Sequence, residues 1–211
     1  MIIIIGSEKG GVGKSTLSMN LATLLAHQNK DVVLVDADRQ GTSSIWAQDR
    51  LSTNQPVIDC IRLFDNISKT LTSLNARYEY VVVDCQGRDS KELRSGLTVA
   101  NLAIFPFRPS QIDLYTLPNM VEMLTDAQMI NPALIGHAII TMSPTNPQIN
   151  ELQGAIDYFK NYPQIKLLNS VICDRKVYRD ASSCGLSVIE MDNDKATLEI
   201  NNLWNELKNG I

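Results

Sequence analysis

Lys9, Gly10, Gly11, Val12, Gly13, Lys14, Ser15 and Thr16 stand in one unbroken run behind the apolar stretch Met1 to Ile5. A buried strand that runs into a glycine-rich turn and then a helix aims several backbone N–H groups at one point, and the helix adds the positive end of its dipole. That geometry holds phosphate. Glycines let the backbone wrap an anion that a β-carbon would fend off, Lys14 brings a mobile charge, and Ser15 offers a hydroxyl to Mg²⁺. The run is irregular twice: the strict phosphate-loop pattern has glycine where this chain has Glu8, and a second lysine, Lys9, precedes the glycines. A chance glycine cluster in a turn is the plain alternative. The apolar strand before it and the helical spacing of apolar residues from Leu17 to Leu25 argue against chance.

Carboxylates recur at two further strand ends. Val32 to Val35 leads into Asp36-Ala37-Asp38-Arg39-Gln40-Gly41, and Val81 to Val83 leads into Asp84-Cys85-Gln86-Gly87. A carboxylate at a strand tip beside a phosphate loop can hold Mg²⁺, directly or through water, and can orient an attacking water. Strand alternation points Asp36 and Asp38 to the same side, where they can act around one metal and one γ-phosphate. The bland reading is that such an aspartate caps the next turn or helix. Beside a phosphate loop the metal and water reading is the stronger, and Gly41 and Gly87 mark loops that could respond to a γ-phosphate.

The elements that must position these groups alternate along nearly the whole chain. Strand patterns cover Ile2 to Ile5, Asp31 to Val35, Tyr80 to Val83, Leu102 to Phe105, Ala138 to Thr141 and Leu167 to Ile172, with a weaker one at Pro56 to Asp59. Helical patterns cover Lys14 to Gln28, Ser43 to Arg50, Ser68 to Asn75, Lys91 to Ala100, Ile112 to Gln128, Gln148 to Asn161 and Lys195 to Lys208, and Pro144 to Pro147 reads as a local loop. This alternation predicts a doubly wound α/β domain over residues 1–211, a mostly parallel sheet with helices on both faces. Ligands in such sheets sit beyond the carboxyl ends of the strands, where the loop and the aspartates fall.

Composition narrows the function classes. The net charge of −4 over 211 residues leaves room only for a local basic face, so nucleic-acid contact would be patchy. Cys60, Cys85, Cys173 and Cys184 show no C-x-x-C spacing and have no histidine nearby, since only His27 and His137 occur. They read as reduced, mostly buried thiols of a cytosolic protein, with zinc improbable. The apolar N-terminus is short and lacks a basic region before it, which reads as a strand rather than a signal peptide, and no run approaches a membrane span. A soluble protein is expected.

Together these segments resemble the deviant Walker ATPases of the ParA/MinD class, closest to small plasmid-partition ParA proteins without an N-terminal helix-turn-helix domain. Pro106-Phe107-Arg108-Pro109-Ser110-Gln111-Ile112-Asp113 resembles the proline-rich segment of that class, and Arg175 to Ala181 with Gly185 to Val188 resembles its C-terminal nucleotide-side and DNA-side region. The resemblance implies an ATPase that forms an ATP-sandwich homodimer, with Lys9 as the signature lysine reaching the partner's nucleotide. It implies that Gly10, Gly11, Val12 and Gly13 cradle phosphate, Lys14 binds the β- and γ-phosphates, Ser15 the Mg²⁺ and Thr16 the α-phosphate. Asp38 matches the water-activating aspartate, and Asp36 and Asp84 support the metal. Adenine contacts are expected near Cys173, Asp174 and the loop after Thr141. Nonspecific DNA contact is implied for Arg175, Lys176 and Arg179, with Lys160 and Lys166 as further candidates. A centromere-binding or adaptor protein is the implied partner, stimulating a slow ATPase in the cytoplasm on the nucleoid. The alternative is a positioning ATPase that acts on a protein scaffold or membrane-associated apparatus without DNA. The last helical pattern has too few cations for the membrane-targeting helix of the class and suits packing on the domain. Departures are Arg39, Cys85 and Gln86, where the class commonly has proline. Arg39 reads as a solvated surface arginine, Arg108 in the proline-rich segment is expected at a dimer face, and Glu8 has no account.

Overall fold

The computed structural model describes residues 1–146 and 150–210. Its strands are β1 (Ile2–Ser7), β2 (Val32–Ala37), β3 (Asp59–Arg62), β4 (Tyr80–Gly87), β5 (Leu102–Phe107), β6 (Ile135–Ser143) and β7 (Lys166–Cys173). Its helices are α1 (Lys14–His27), α2 (Thr42–Arg50), α3 (Ser68–Asn75), α4 (Lys91–Leu97), α5 (Gln111–Leu114), α6 (Leu117–Ile130), α7 (Glu151–Phe159), α8 (Lys176–Ser182) and α9 (Asp194–Lys208), with a 3-10 turn at Val188–Glu190 before α9. The strands form one seven-stranded sheet in the order β3-β2-β4-β1-β5-β6-β7. Every pairing is parallel.

Alternation along the strands separates two cores. Ile2, Ile4, Val33, Val35, Val81 and Val83 face α3, α4, α6 and α7, while Ile3, Ile5, Leu34 and Val82 face α1, α2, α8 and α9. Burial on both faces is why the central strands read as unbroken apolar runs. From β1 the chain crosses toward β2 and β3 on one side, and β5, β6 and β7 lie on the other, so the order reverses at the carboxyl end of β1. The glycine-rich loop leaves the sheet at that crevice.

Several boundaries differ from expectation. The weak strand lies at Asp59–Arg62 rather than Pro56 to Asp59, because Pro56 has no N–H for a ladder and the pairing to β2 runs from Val33↔Asp59 to Asp36↔Arg62. The pattern at Ile112 to Gln128 is two helices, α5 and α6. Pro118 stands in the first turn of α6, where its missing N–H is tolerated, and it cannot sit in the interior of one continuous helix. Of the pattern at Gln148 to Asn161, residues 148–149 lie outside the described residues, as does the end of the Pro144 to Pro147 loop; the described helix is α7. The thiols are less buried than expected: Cys85 is buried, Cys60 and Cys173 are half-buried and Cys184 is exposed, all four free.

The C-terminal third is bolted to α2 and α1. Arg50, 1% exposed, donates to Glu190 through both terminal nitrogens at 2.9 and 2.6 Å and to the Gly185 carbonyl at 3.0 Å. Trp46 Nε1 donates to the Leu186 carbonyl at 2.9 Å, and Asn20 Oδ1 accepts from Ser187 Oγ and Val188 N. Gly185 has φ +67, and a β-carbon there would lie 2.4 Å from the Arg50 nitrogen, so the segment passes as close to α2 as backbone allows. α9 buries Ile200, Leu203, Trp204 and Leu207 on the body of the domain, the packing its composition suggested.

Candidate phosphate-binding site

Gly13, at φ 85, caps α1, and Lys14 is the first residue of that helix. The Lys14 ammonium lies over the loop, donating to the Lys9 carbonyl at 2.9 Å and to Ser7 Oγ at 3.2 Å, and the residue is 6% exposed. Burial pulls its pKa below the ordinary lysine value, while Asp84, Asp38 and the Cys85 thiol pull it back up. The sheet therefore brings Lys14, Asp38 and Asp84 into one electrostatic group. Lys9 offers only its backbone carbonyl; among the described residues its ammonium makes no hydrogen bond or ion pair. Gly87, the last residue of β4, is packed so tightly on this loop that a β-carbon would lie 2.6 Å from the Lys9 carbonyl oxygen. Glu8 accepts from Asn119 Nδ2 on α6 at 3.1 Å, which gives that irregular residue a structural role.

The two strand carboxylates lie within their strands, Asp36 next to the last residue of β2 and Asp84 ahead of Cys85, Gln86 and Gly87 in β4. Asp36 and Asp84 are register partners inside the β2–β4 ladder, and both are fully buried. Their oxygens are used differently. Asp36 Oδ1 accepts from Asp38 N at 3.1 Å, and Oδ2 accepts from the Ser44 N–H at 2.8 Å and the Ser44 hydroxyl at 2.5 Å. It thus holds the first turn of α2, the capping role weighed above for such an aspartate. Asp84 Oδ2 accepts from Ser43 Oγ at 2.7 Å, whereas buried Oδ1 accepts nothing among the described residues. Burial pushes the Asp84 carboxyl up to about 7, with Asp36 adding to the rise and the Ser15 and Ser43 hydroxyls and Lys14 opposing it. An unsatisfied carboxylate oxygen next to the Ser15 hydroxyl is an all-oxygen donor set of the kind Mg²⁺ takes. Asp38, half-buried, accepts from Gln40 N at 2.9 Å through Oδ1.

Beside the loop a cleft is lined by Gly13, Thr16, Thr141, Cys173, Asp174 and Arg179, the surroundings expected for a nucleoside. The three candidate DNA contacts are brought to this end of the molecule, and each has a carboxylate partner. Arg175 donates to Glu199 at 2.8 Å, Lys176 lies 3.0 Å from Asp180, and Arg179 donates to Asp174 at 2.7 Å. Lys160 is paired with Asp157 at 2.6 Å. Arg39 is exposed and stacks 5.1 Å from the Phe64 ring centroid. Sequence reasoning missed Ser43, Ser44 and Thr141. The Thr141 hydroxyl donates to the Val12 carbonyl at 2.7 Å, tying β6 to the loop. The serines follow Gly41 and Thr42, and their place in the first turn of a helix behind an acidic strand end was the signal that could have found them.

A family model described as the CobQ/CobB/MinD/ParA nucleotide binding domain matches residues 3–188. The chain is 33% identical over 200 residues to Maintenance of carboxysome distribution protein A of Gloeobacter kilaueensis, covering 90% of this chain and 84% of that protein. It is 27% identical over 237 residues to the sporulation initiation inhibitor protein Soj of Bacillus subtilis, covering 90% and 91%. Among solved structures, a plasmid partition protein from Borrelia burgdorferi bound to AMPPNP shares the fold with a TM-score of 0.77 at 22% identity, covering 100% of this chain and 99% of that chain. No helix among the described residues is long and apolar enough to cross a membrane.

Proposed function

The chain belongs to the CobQ/CobB/MinD/ParA nucleotide-binding family, and from that premise we propose that it is a partition or positioning ATPase that dimerises around ATP and is released by hydrolysis. The observation that carries the reading is the grouping of Lys14, Asp38 and Asp84 at the mouth of the glycine-rich loop, with Asp84 Oδ1 unsatisfied and the Lys9 ammonium unpartnered among the described residues. Lys14 shifts from the loop carbonyl to the β- and γ-phosphates, and the loop N–H groups hold the oxygens between them. Ser15 and Asp84 would hold Mg²⁺, with Asp36 fixing α2 behind them; the ion, when bound, neutralises the developing phosphate charge. Asp38 lies at the end of β2 on the same side and orients the attacking water. Lys9 extends to the nucleotide of a second copy, so loss of the γ-phosphate weakens the dimer.

Phosphate release tests the assignment. Asp38→Ala should lower the ATPase rate by roughly two orders of magnitude or more, the scale of a positioned acid–base group, while ATP still binds. An unchanged rate would remove Asp38 from the chemistry.

We infer that the ATP-bound dimer also associates with DNA without sequence preference, through Arg175, Lys176 and Arg179. A second reading, action on a protein scaffold without DNA, is favoured by one observation: the carboxylates Glu199, Asp180 and Asp174 already neutralise those three cations. Gel shift on nonspecific duplex, with ATP and ADP at two salt concentrations, separates the two. DNA contact predicts ATP-dependent binding whose log–log salt slope falls by about one unit for each contacting residue removed. Absent or nucleotide-independent binding selects the scaffold reading.

A further inference from the structure

Three carbonyls of the phosphate loop are held by side chains, two of them from outside the loop. The Lys9 oxygen accepts from Lys14 Nζ at 2.9 Å and Ser7 Oγ at 2.8 Å, and the Val12 oxygen accepts from Thr141 Oγ1 at 2.7 Å. Between them the Gly11 oxygen accepts two N–H groups of one side chain, Arg108 Nε at 3.0 Å and Arg108 Nη2. In a trans peptide the C=O and the following N–H point in opposite directions. A donor on the Gly11 carbonyl therefore aims the Val12 N–H toward the inside of the loop, just as Thr141 aims the Gly13 N–H.

The Gly11–Val12 peptide has a glycine on its N-terminal side: Gly11 stands at φ +71, and glycine has little intrinsic preference to hold a peptide plane in one orientation. A β-carbon at Gly11 would itself lie 3.0 Å from Arg108 Nη2, so the guanidinium occupies the space that a larger residue would use to stiffen the turn. Arg108 follows directly on Phe107, which is 2% exposed in the core, so the side chain springs from a fixed base. Among the described residues no carboxylate pairs with the guanidinium, and its charge stays with the loop.

We propose that Arg108 is a positioning residue of the phosphate loop: its planar fork locks the Gly11–Val12 peptide with the Val12 N–H turned to the polyphosphate of a nucleoside di- or triphosphate, and it adds a third cation to Lys9 and Lys14. This rests on the nucleotide reading above. It assigns Arg108 to its own subunit's loop rather than to the dimer face suggested by the sequence. A lysine, with a point charge on a flexible stem, cannot hold the carbonyl with two N–H groups in one plane.

Binding of Mg·ADP to the full chain tests the proposal apart from dimerisation, because the ADP state carries no γ-phosphate to link two copies. Arg108→Ala should weaken Mg·ADP and Mg·ATP alike by about tenfold, the scale of one charge-assisted hydrogen bond. KM for ATP should rise by a similar factor with kcat little changed, and Arg108→Lys should recover only part of the loss. If Arg108→Ala does not fold, Arg108→Gln serves, since one amide N–H₂ cannot replace the fork. Wild-type affinity for Mg·ADP in the variants would overturn the positioning role while leaving the nucleotide reading intact, and so would a variant that binds Mg·ADP normally but fails to dimerise with ATP. A wild-type chain that binds neither nucleotide would overturn the reading on which the proposal rests.

Discussion

Asp84→Asn is expected to raise the melting temperature at pH 8 and, in the same protein, to remove Mg²⁺-dependent nucleotide binding. The wild-type carboxyl is buried beside Asp36 and is pushed from an ordinary 3.8 up to about 7. In the folded chain it therefore keeps its proton over a range where the unfolded chain has lost it. Stability falls as pH rises from about 4 to about 7 and is flat above, because the unfolded state binds fewer protons throughout that window. At 1.36 kcal/mol per unit, a rise of about three units costs on the order of 4 kcal/mol at pH 8. Asparagine keeps an acceptor for Ser43 without the charge. Allowing for partial hydration of the site, roughly 2–4 kcal/mol should return, or about 5–10 °C for a domain of this size. The gain should fade at pH 5, where the wild-type group is protonated. Thermal melts without nucleotide at pH 5 and pH 8 check this, and an equal shift at both would show that the charge at Asp84 is not the cause. With Mg²⁺ the sign of the change in fitness reverses: the variant lacks the anionic oxygen, so Mg·ATP affinity should fall by tenfold or more toward the value measured in EDTA.

This opposition between stability and function explains which parts of the site were legible. Apolar runs such as Ile2 to Ile5 and Val81 to Val83 announce strands because two-sided burial leaves nothing polar to interrupt them, and helices α1 and α3 fall within a residue of their patterns. The loop was legible because its glycines, lysines and hydroxyls are contiguous. β3 was misplaced since it is an edge strand with only half-buried apolar residues, so pairing to β2 and not burial sets its position. α8 escaped notice because Tyr178 and Ala181 are its only buried residues, too few to make a period. The least legible contacts join distant segments: Thr141 to Val12 and Arg108 to Gly11. No local pattern can signal those, since each pairs an ordinary polar residue with a backbone group that only the sheet order brings near. Asp36 shows the limit from the other side: its Oδ1 accepts from Asp38 N and its Oδ2 holds the start of α2, contacts that its place at a strand end does not announce.

Lys9→Ala should leave the subunit folded and able to bind ATP, yet remove the ATP-dependent dimer. The Lys9 ammonium makes no polar contact among the described residues, so deleting it should change monomer stability by no more than about 0.5 kcal/mol. Its backbone is another matter: the carbonyl anchors Lys14 and faces the close packing of Gly87, so the loop stays in place whatever side chain stands at this position. In a two-fold dimer each contact occurs twice, and a desolvated cation on a polyanion is the kind of pair whose loss costs roughly 2–5 kcal/mol. Two such losses amount to about 4–10 kcal/mol, at least a thousandfold in the dimer constant. Sedimentation in an Asp38→Ala background, where ATP persists, should show dimers for Lys9 and monomers for Lys9→Ala, with nucleotide affinity of the monomer changed only a few-fold. A double variant that still dimerises with ATP would confine Lys9 to its own subunit. The irregular cation would then be a third loop charge alongside Lys14 and Arg108, and hydrolysis would have to loosen the dimer by another contact.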